Sequence, residues 1–347
     1  MSNANTTTRR AYRRTDDHTP GTPKIKLRSK LPRYQHFQRR EPVARDAARD
    51  HWQRCCRRSH CRGRAGSQVK TLAIGDRVAP TIDTENITGR ETARSWLAAD
   101  EDGVLADYVV YDERVLGKLP TYLDWVQASI IPCAGVTAWS ALKGAEIGQS
   151  VLIQGTGGVA MFALKLAKAA GLKVILSSSS DEKLKKVCEH FPEPPILTVN
   201  YAKNQNWHED VPRHTNGVGV DIVVEVGGPG TLLKSMKCTR RGGIVSQVGY
   251  LDRKKFDDAL EILPMLIDRR IILRYVSSLG LLVLADFGDR GINGGSKTDM
   301  DDLSTARTAT RIKFDDIIDS TWAFDKADDA LQYLWEGKQV GKVVIKI

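Results

Sequence analysis

The chain is 347 residues long and carries 52 Lys and Arg against 42 Asp and Glu, a formal net charge of +10, with 41% hydrophobic residues. That length fits two domains better than one, and the apolar fraction suffices for buried cores. No apolar run approaches the roughly 18 residues of a membrane span and no secretory signal is recognised at the start, so a soluble, cytoplasmic protein is expected.

The charge is unevenly placed. Residues 1–70 hold 19 of the 52 basic residues and 5 of the 42 acidic ones, so the rest of the chain is slightly acidic. Cys55, Cys56 and Cys61 and the histidines 18, 36, 51 and 60 lie there too. A basic arm for nucleic acid, a metal site and a stretch without functional design compete for this segment. The third is favoured. Residues 39–64 show neither strand nor helix period, the cysteine spacing matches no zinc motif, and no nucleic-acid partner is expected.

In chain order, residues 24–27 read as a short strand, and Ile74-Gly75-Asp76-Arg77-Val78 as a turn entering a second. Residues 106–110 and 115–120 continue a β-rich pattern, then residues 124–128 and 133–142 turn helical. The stretch from Val151 to Gly171 organises the second half of the chain. Val151, Leu152 and Ile153 run into Gly155-Thr156-Gly157-Gly158-Val159-Ala160, and apolar residues then recur at helical spacing up to Gly171, a helix cap. This is the Gly-x-Gly-x-x-Ala fingerprint of a dinucleotide-binding turn. Gly155 permits the tight turn, Gly157 and Gly158 let a pyrophosphate approach the backbone, and Ala160 lets helix and strand pack. The phosphates then sit at the helix N-terminus.

A strand at 173–176 ends in Ser177-Ser178-Ser179-Ser180-Asp181-Glu182-Lys183. About 20 residues past the first glycine, an acid usually binds the ribose 2′-hydroxyl of NAD. Serines stand there, with Lys183 just beyond. Hydroxyls and a cation suit a 2′-phosphate, so NADP(H) is the expected cofactor; the serines also read as a strand-to-helix cap. Strands at 196–199, 220–226 and 243–249 and a helix at 231–238 continue the alternation, and glycines closing successive strands are read as keeping a nicotinamide crevice open. A helix at 327–335 and a strand at 343–347 end the chain.

Several segments together resemble the medium-chain dehydrogenase/reductase superfamily, in its zinc-independent, quinone-oxidoreductase-like or zinc-type alcohol dehydrogenase-like branch. They are residues 74–78, Gly103-Val104-Leu105-Ala106-Asp107-Tyr108, Ala134-Gly135-Val136-Thr137-Ala138-Trp139, the fingerprint, residues 179–183, Asn200-Tyr201, Gly219-Val220-Asp221 and Gly341-Lys342-Val343-Val344-Ile345. The resemblance implies an α/β fold in which a Rossmann doubly wound parallel sheet (131–311) is inserted in a GroES-like β-rich catalytic domain (66–130 and 312–347). The active site would lie between them, and a homodimer would form through the sheet edge. It implies Gly155, Gly157, Gly158 and Val159 at the pyrophosphate, and Ser178, Ser179, Lys183 and Tyr201 around the 2′-phosphate. Thr137, Gly249 and Leu251 would lie near the nicotinamide, with Thr137 and Tyr108 as candidate proton donors.

The family's zinc ligands are missing: there is no Gly-His-Glu and no run of four close cysteines, and Cys133 reads as core. Without a Lewis acid the readier chemistry is hydride addition to a quinone, an enone or a similar small carbonyl compound. An inactive dinucleotide-binding member and a zinc-type alcohol dehydrogenase are the alternatives. Two segments depart from the family. Residues 32–64, within a basic, disordered or aberrant stretch 1–65, read as a mis-spliced or frame-shifted exon. Residues 275–290 read as an insertion, either a retained intron or an apolar element at 279–284.

Overall fold

The computed structural model describes residues 69–104, 108–249, 262, 266–275 and 294–346, together with the backbone of 24–28. The proposed mis-spliced stretch 32–64 and residues 276–290 lie outside the described residues.

The first described strands form two antiparallel pairs. Strand β1 (Lys24–Arg28) pairs with β3 (Tyr108–Asp112), and β2 (Val78–Pro80) with β4 (Leu116–Lys118). Helix α1 (Trp125–Ser129) starts where the Asp124 carboxylate accepts the Gln127 N–H at 2.8 Å, a side-chain N-cap. One π turn, Ile131–Gly135, leads into α2 (Val136–Ala141). Gly135 is required there, because a Cβ would stand 2.8 Å from the Phe162 ring.

The chain then enters β5 (Ser150–Gln154), α3 (Gly158–Ala169), β6 (Lys173–Ser178), α4 (Asp181–His190) and β7 (Leu197–Asn200). It returns through β8 (Val220–Glu225), α5 (Pro229–Cys238), β9 (Thr239–Gln247) and β10 (Ile272–Tyr275). These six strands make one sheet in the order β10-β9-β8-β5-β6-β7, every neighbouring pair parallel. Both faces are covered, so β5 is buried along its whole length. Its side chains alternate between two cores: Val151 and Ile153 join Phe162 and Leu164 on one face, and Leu152 joins Val223 and Met236 on the other. The order reverses between β5 and β8. In such doubly wound sheets, a ligand binds beyond the strand ends at that point.

Helix α6 (Lys297–Thr310) opens with a capping box between Ser296 and Asp299 and packs against α2 and β4. Strand β11 (Ile318–Ala323), helix α7 (Ala327–Trp335) and strand β12 (Lys342–Lys346) complete the described chain, with β11 and β12 parallel neighbours. Neither α6 nor β11 is among the elements expected from sequence. The buried stripe of α6 is Met300, Leu303 and Arg307, and an arginine in the last position breaks the apolar period.

Candidate functional site

The turn after β5 is built for an anion. Gly155 has φ +77°, and among the described residues no atom beyond the chain neighbours lies within 4 Å of the place a Cβ would take at Gly155 or Gly157. Helix α3 begins with Gly157 as N-cap, with no side-chain cap and no acid in its first turn. Its first N–H groups thus have no side-chain cap, and the positive end of a helix so left favours an anion such as a pyrophosphate. Val159, in the same turn, packs partly on the core.

Gly158 has a different reason. A Cβ there would collide with the aliphatic stem of Lys342, a residue only 3% exposed. The segment carrying Lys342 lies along the glycine turn: Gly341 N–H donates to the Thr156 carbonyl at 2.8 Å, and Gly157 and Gly341 form a parallel bridge. The Lys342 stem lies against the first turn of α3, where an anion is favoured. Lys342 is thus a cofactor-holding candidate that sequence reading missed, although Gly341-Lys342 was in view as a family signature.

At the end of β6, Ser178 is buried and its hydroxyl accepts the Ser180 N–H at 3.2 Å, while Ser179 is exposed. Ser180 caps α4 by accepting the Lys183 N–H at 3.2 Å. Tyr201 comes alongside, its N–H on the Ser178 carbonyl at 3.1 Å, and the residue is 42% exposed. Asp181 turns to Asn200 and Lys203, and those hydrogen bonds hold its carboxyl below the usual range. The Lys183 ammonium donates to the carbonyls of Gly337 and Gln339 (3.0 Å to the latter), and burial lowers its pKa. The fold thus brings the backbones of Ser178, Ser179, Lys183 and Tyr201 to the end of β6, with the Lys183 side chain running on to the 337–339 segment.

Thr137 lies buried in α2, which packs on α3. Gly249 differs from the expectation of an open crevice: a Cβ would meet the Val226 carbonyl oxygen at 2.7 Å, so the glycine serves a close approach of two loops. Gly227 is likewise filled, by Thr231. Tyr108 begins β3, but its side chain, like the whole of Leu251, lies outside the described residues.

Between β5 and β8 stands a fully buried carboxylate that sequence reading also missed. Glu225 accepts from Gln154 Nε2 at 2.6 Å, from the N–H groups of Gly227 at 2.8 Å and Gly228 at 3.0 Å, and from the hydroxyls of Thr231 and Ser235. Burial pushes its carboxyl up, while the five donors favour the anion. The Gln154 amide oxygen in turn accepts the Val226 N–H at 3.1 Å, so one network shapes the loop leaving β8. Glu225→Ala strands these donors, and a loss of about 3 kcal/mol in unfolding free energy is expected from urea midpoints; Glu225→Gln should cost less.

Among the described residues no three His, Cys, Asp or Glu stand close enough to hold a metal, so the described donor set does not fit a zinc centre. No helix among them is long and apolar enough to cross a membrane.

The family profile described as zinc-binding dehydrogenase matches residues 158–287. A zinc-type alcohol dehydrogenase-like protein of Schizosaccharomyces pombe is 33% identical over 294 residues, covering 82% of this chain and 79% of the relative. An acryloyl-coenzyme A reductase of Sulfurisphaera tokodaii is 24% identical over 294 residues, covering 81% and 79%. Among solved structures, a Sinorhizobium meliloti protein assigned as an alcohol dehydrogenase superposes with a TM-score of 0.70 at 28% identity, covering 94% of this chain and 92% of its own. Sheet order, glycine turn and relatives define an oxidoreductase that binds a nicotinamide dinucleotide, with a Rossmann sheet joined to a GroES-like domain. The chain belongs to the medium-chain dehydrogenase/reductase superfamily.

Proposed function

We propose that this chain is an NADPH-dependent, zinc-independent cytoplasmic oxidoreductase that passes hydride to a quinone, an enone or another small carbonyl compound. The observation that carries the cofactor choice is the end of β6. Ser178 and Ser179 stand where a ribose-binding acid belongs, Asp181 just beyond them is engaged by Asn200 and Lys203, and Lys183 lies in the first turn of the helix that follows, its ammonium on the Gly337 and Gln339 carbonyls. An ammonium has three N–H donors, and two are used, which leaves one for a phosphate. The zinc-independent reading rests on the sequence, which has no Gly-His-Glu and no run of four close cysteines, and reduction of an activated C=C is the activity in the name of one relative, an acryloyl-coenzyme A reductase.

Bound NADPH would supply the hydride. The chain's own part is to hold the pyrophosphate at Gly157, Gly158, Val159 and Lys342, to hold the adenosine end at Ser178, Ser179, Lys183 and Tyr201, and so to fix where the nicotinamide meets substrate. Thr137, Gly249 and Leu251 are assigned to the nicotinamide end, and Thr137 and Tyr108 are the candidates for handing a proton to the reduced product. We assign 131–311 to the nucleotide domain and 66–130 with 312–347 to the catalytic domain. A homodimer would use the β10 edge, where Ile272 is 51% exposed.

The test is to follow oxidation of NADPH by the purified chain against a panel of quinones, enones and aldehydes. Turnover of a quinone or enone that survives a metal chelator supports the proposal. Tight NADPH binding with no turnover would favour the inactive binding protein, and chelator-sensitive oxidation of an alcohol would favour the zinc-type dehydrogenase.

A further inference from the structure

The segment between α7 and β12 lies along the dinucleotide site and is fastened at three points. Val340 N–H donates to the Asp319 carboxylate at 2.8 Å, and Gly341 N–H donates to the Thr156 carbonyl at 2.8 Å. The third point is Lys183, whose ammonium takes the Gly337 and Gln339 carbonyls. Gly341, at φ +97°, leaves no room for a Cβ against the Ile317 carbonyl, so the backbone is confined there by sterics. Its next residue is Lys342, whose stem covers Gly158 at the head of α3. On the Gly337–Gln339 side, only the Lys183 ammonium among these fastenings reaches across from the Rossmann sheet.

We propose that Lys183 is a positioning residue for the pyrophosphate end of the site. By tying Gly337 and Gln339 to the start of α4, it holds the 337–342 segment so that Lys342 stays over the anion-binding turn. Lys183 is therefore required for tight binding of any dinucleotide, including one without a 2′-phosphate. The proposal rests on the dinucleotide site itself; the 2′-phosphate reading of the same ammonium is a separate claim.

The geometry explains why one cation can serve both. Two of its N–H groups are spent on carbonyls and the third is available, so a 2′-phosphate completes the ammonium's donors without releasing the segment. Preorganisation of the 337–342 segment against the glycine turn lowers the cost of binding a pyrophosphate there, and the benefit disappears when the tether is cut.

The experiment compares wild type, Lys183→Met and Lys183→Arg by calorimetric titration with NADH and with NADPH, and by amide hydrogen exchange across residues 336–343 without ligand. The expected result is that Lys183→Met binds NADH about fivefold more weakly and exchanges the Val340 and Gly341 amides faster, with Lys183→Arg near wild type in both. Unchanged NADH affinity with unchanged exchange would overturn the proposal, even if NADPH binding fell, and that fall would leave the 2′-phosphate reading standing. Equal losses for NADH and NADPH, with faster exchange, would uphold the tether and defeat the 2′-phosphate reading.

Discussion

Gly157→Val is expected to reduce dinucleotide affinity by about a hundredfold or more while leaving the melting temperature of the free protein nearly unchanged. The backbone at Gly157, φ −80° and ψ −175°, is extended and open to any residue. Among the described residues no atom beyond the chain neighbours lies within 4 Å of the new Cβ, so the fold has room for it. The room the side chain enters is the space in front of the α3 N-terminus, where a pyrophosphate must approach the backbone. Calorimetric titration and a thermal melt on the same sample check both halves. Gly341→Ala makes the contrast, since φ +97° and the Ile317 carbonyl oppose a Cβ there and the melt itself should fall.

The second large effect is a gain. Arg307 is 1% exposed, its Nε donates to the Leu303 carbonyl at 3.3 Å, and both terminal nitrogens are buried with no hydrogen-bond partner among the described residues. The guanidinium lies 5.1 Å from the Phe314 ring centroid, and burial pulls its pKa down to about 10. A buried charge short of partners costs several kcal/mol, and flexible apolar side chains of similar volume remove that cost. Arg307→Met should therefore raise unfolding free energy by about 2 kcal/mol, read as a higher urea midpoint at unchanged slope. Arg307→Ala should gain less, because a cavity offsets the relief. A lower midpoint for Arg307→Met would show that the guanidinium has a partner in solution.

The Rossmann half was legible because each of its signals is local. The run Val151 to Ile153, the glycines and the helical period up to Gly171 predict β5, the turn and α3 closely, and Gly171 takes φ +74° as a helix-ending glycine does. The helix 327–335 was placed to the residue. Of the two readings of the serine run, the strand-to-helix cap is seen directly: Ser178 ends β6 and Ser180 caps α4.

What escaped depends on contacts between distant residues. Lys342 meets Gly158, and Lys183 meets Gly337 and Gln339, over separations that no spacing rule covers. Glu225 looked like one more residue of a buried strand; its importance comes from Gln154, Thr231 and Ser235 converging on it. Gly249 and Gly227 were read as openings, whereas neighbouring atoms occupy the sides where a Cβ would point. Helix α6 was hidden by Arg307, a charge on a face that should be apolar.

The most direct test of the central claim is a thermal-shift titration of the full chain with NADPH and, separately, NADH. A ligand that binds only the folded state adds stability as its concentration rises, about 2.7 kcal/mol at a hundred times Kd. A cooperative melt that climbs with NADPH at concentrations where NADH has little effect is the predicted result. No shift with either dinucleotide, or an equal shift with both, would contradict the account.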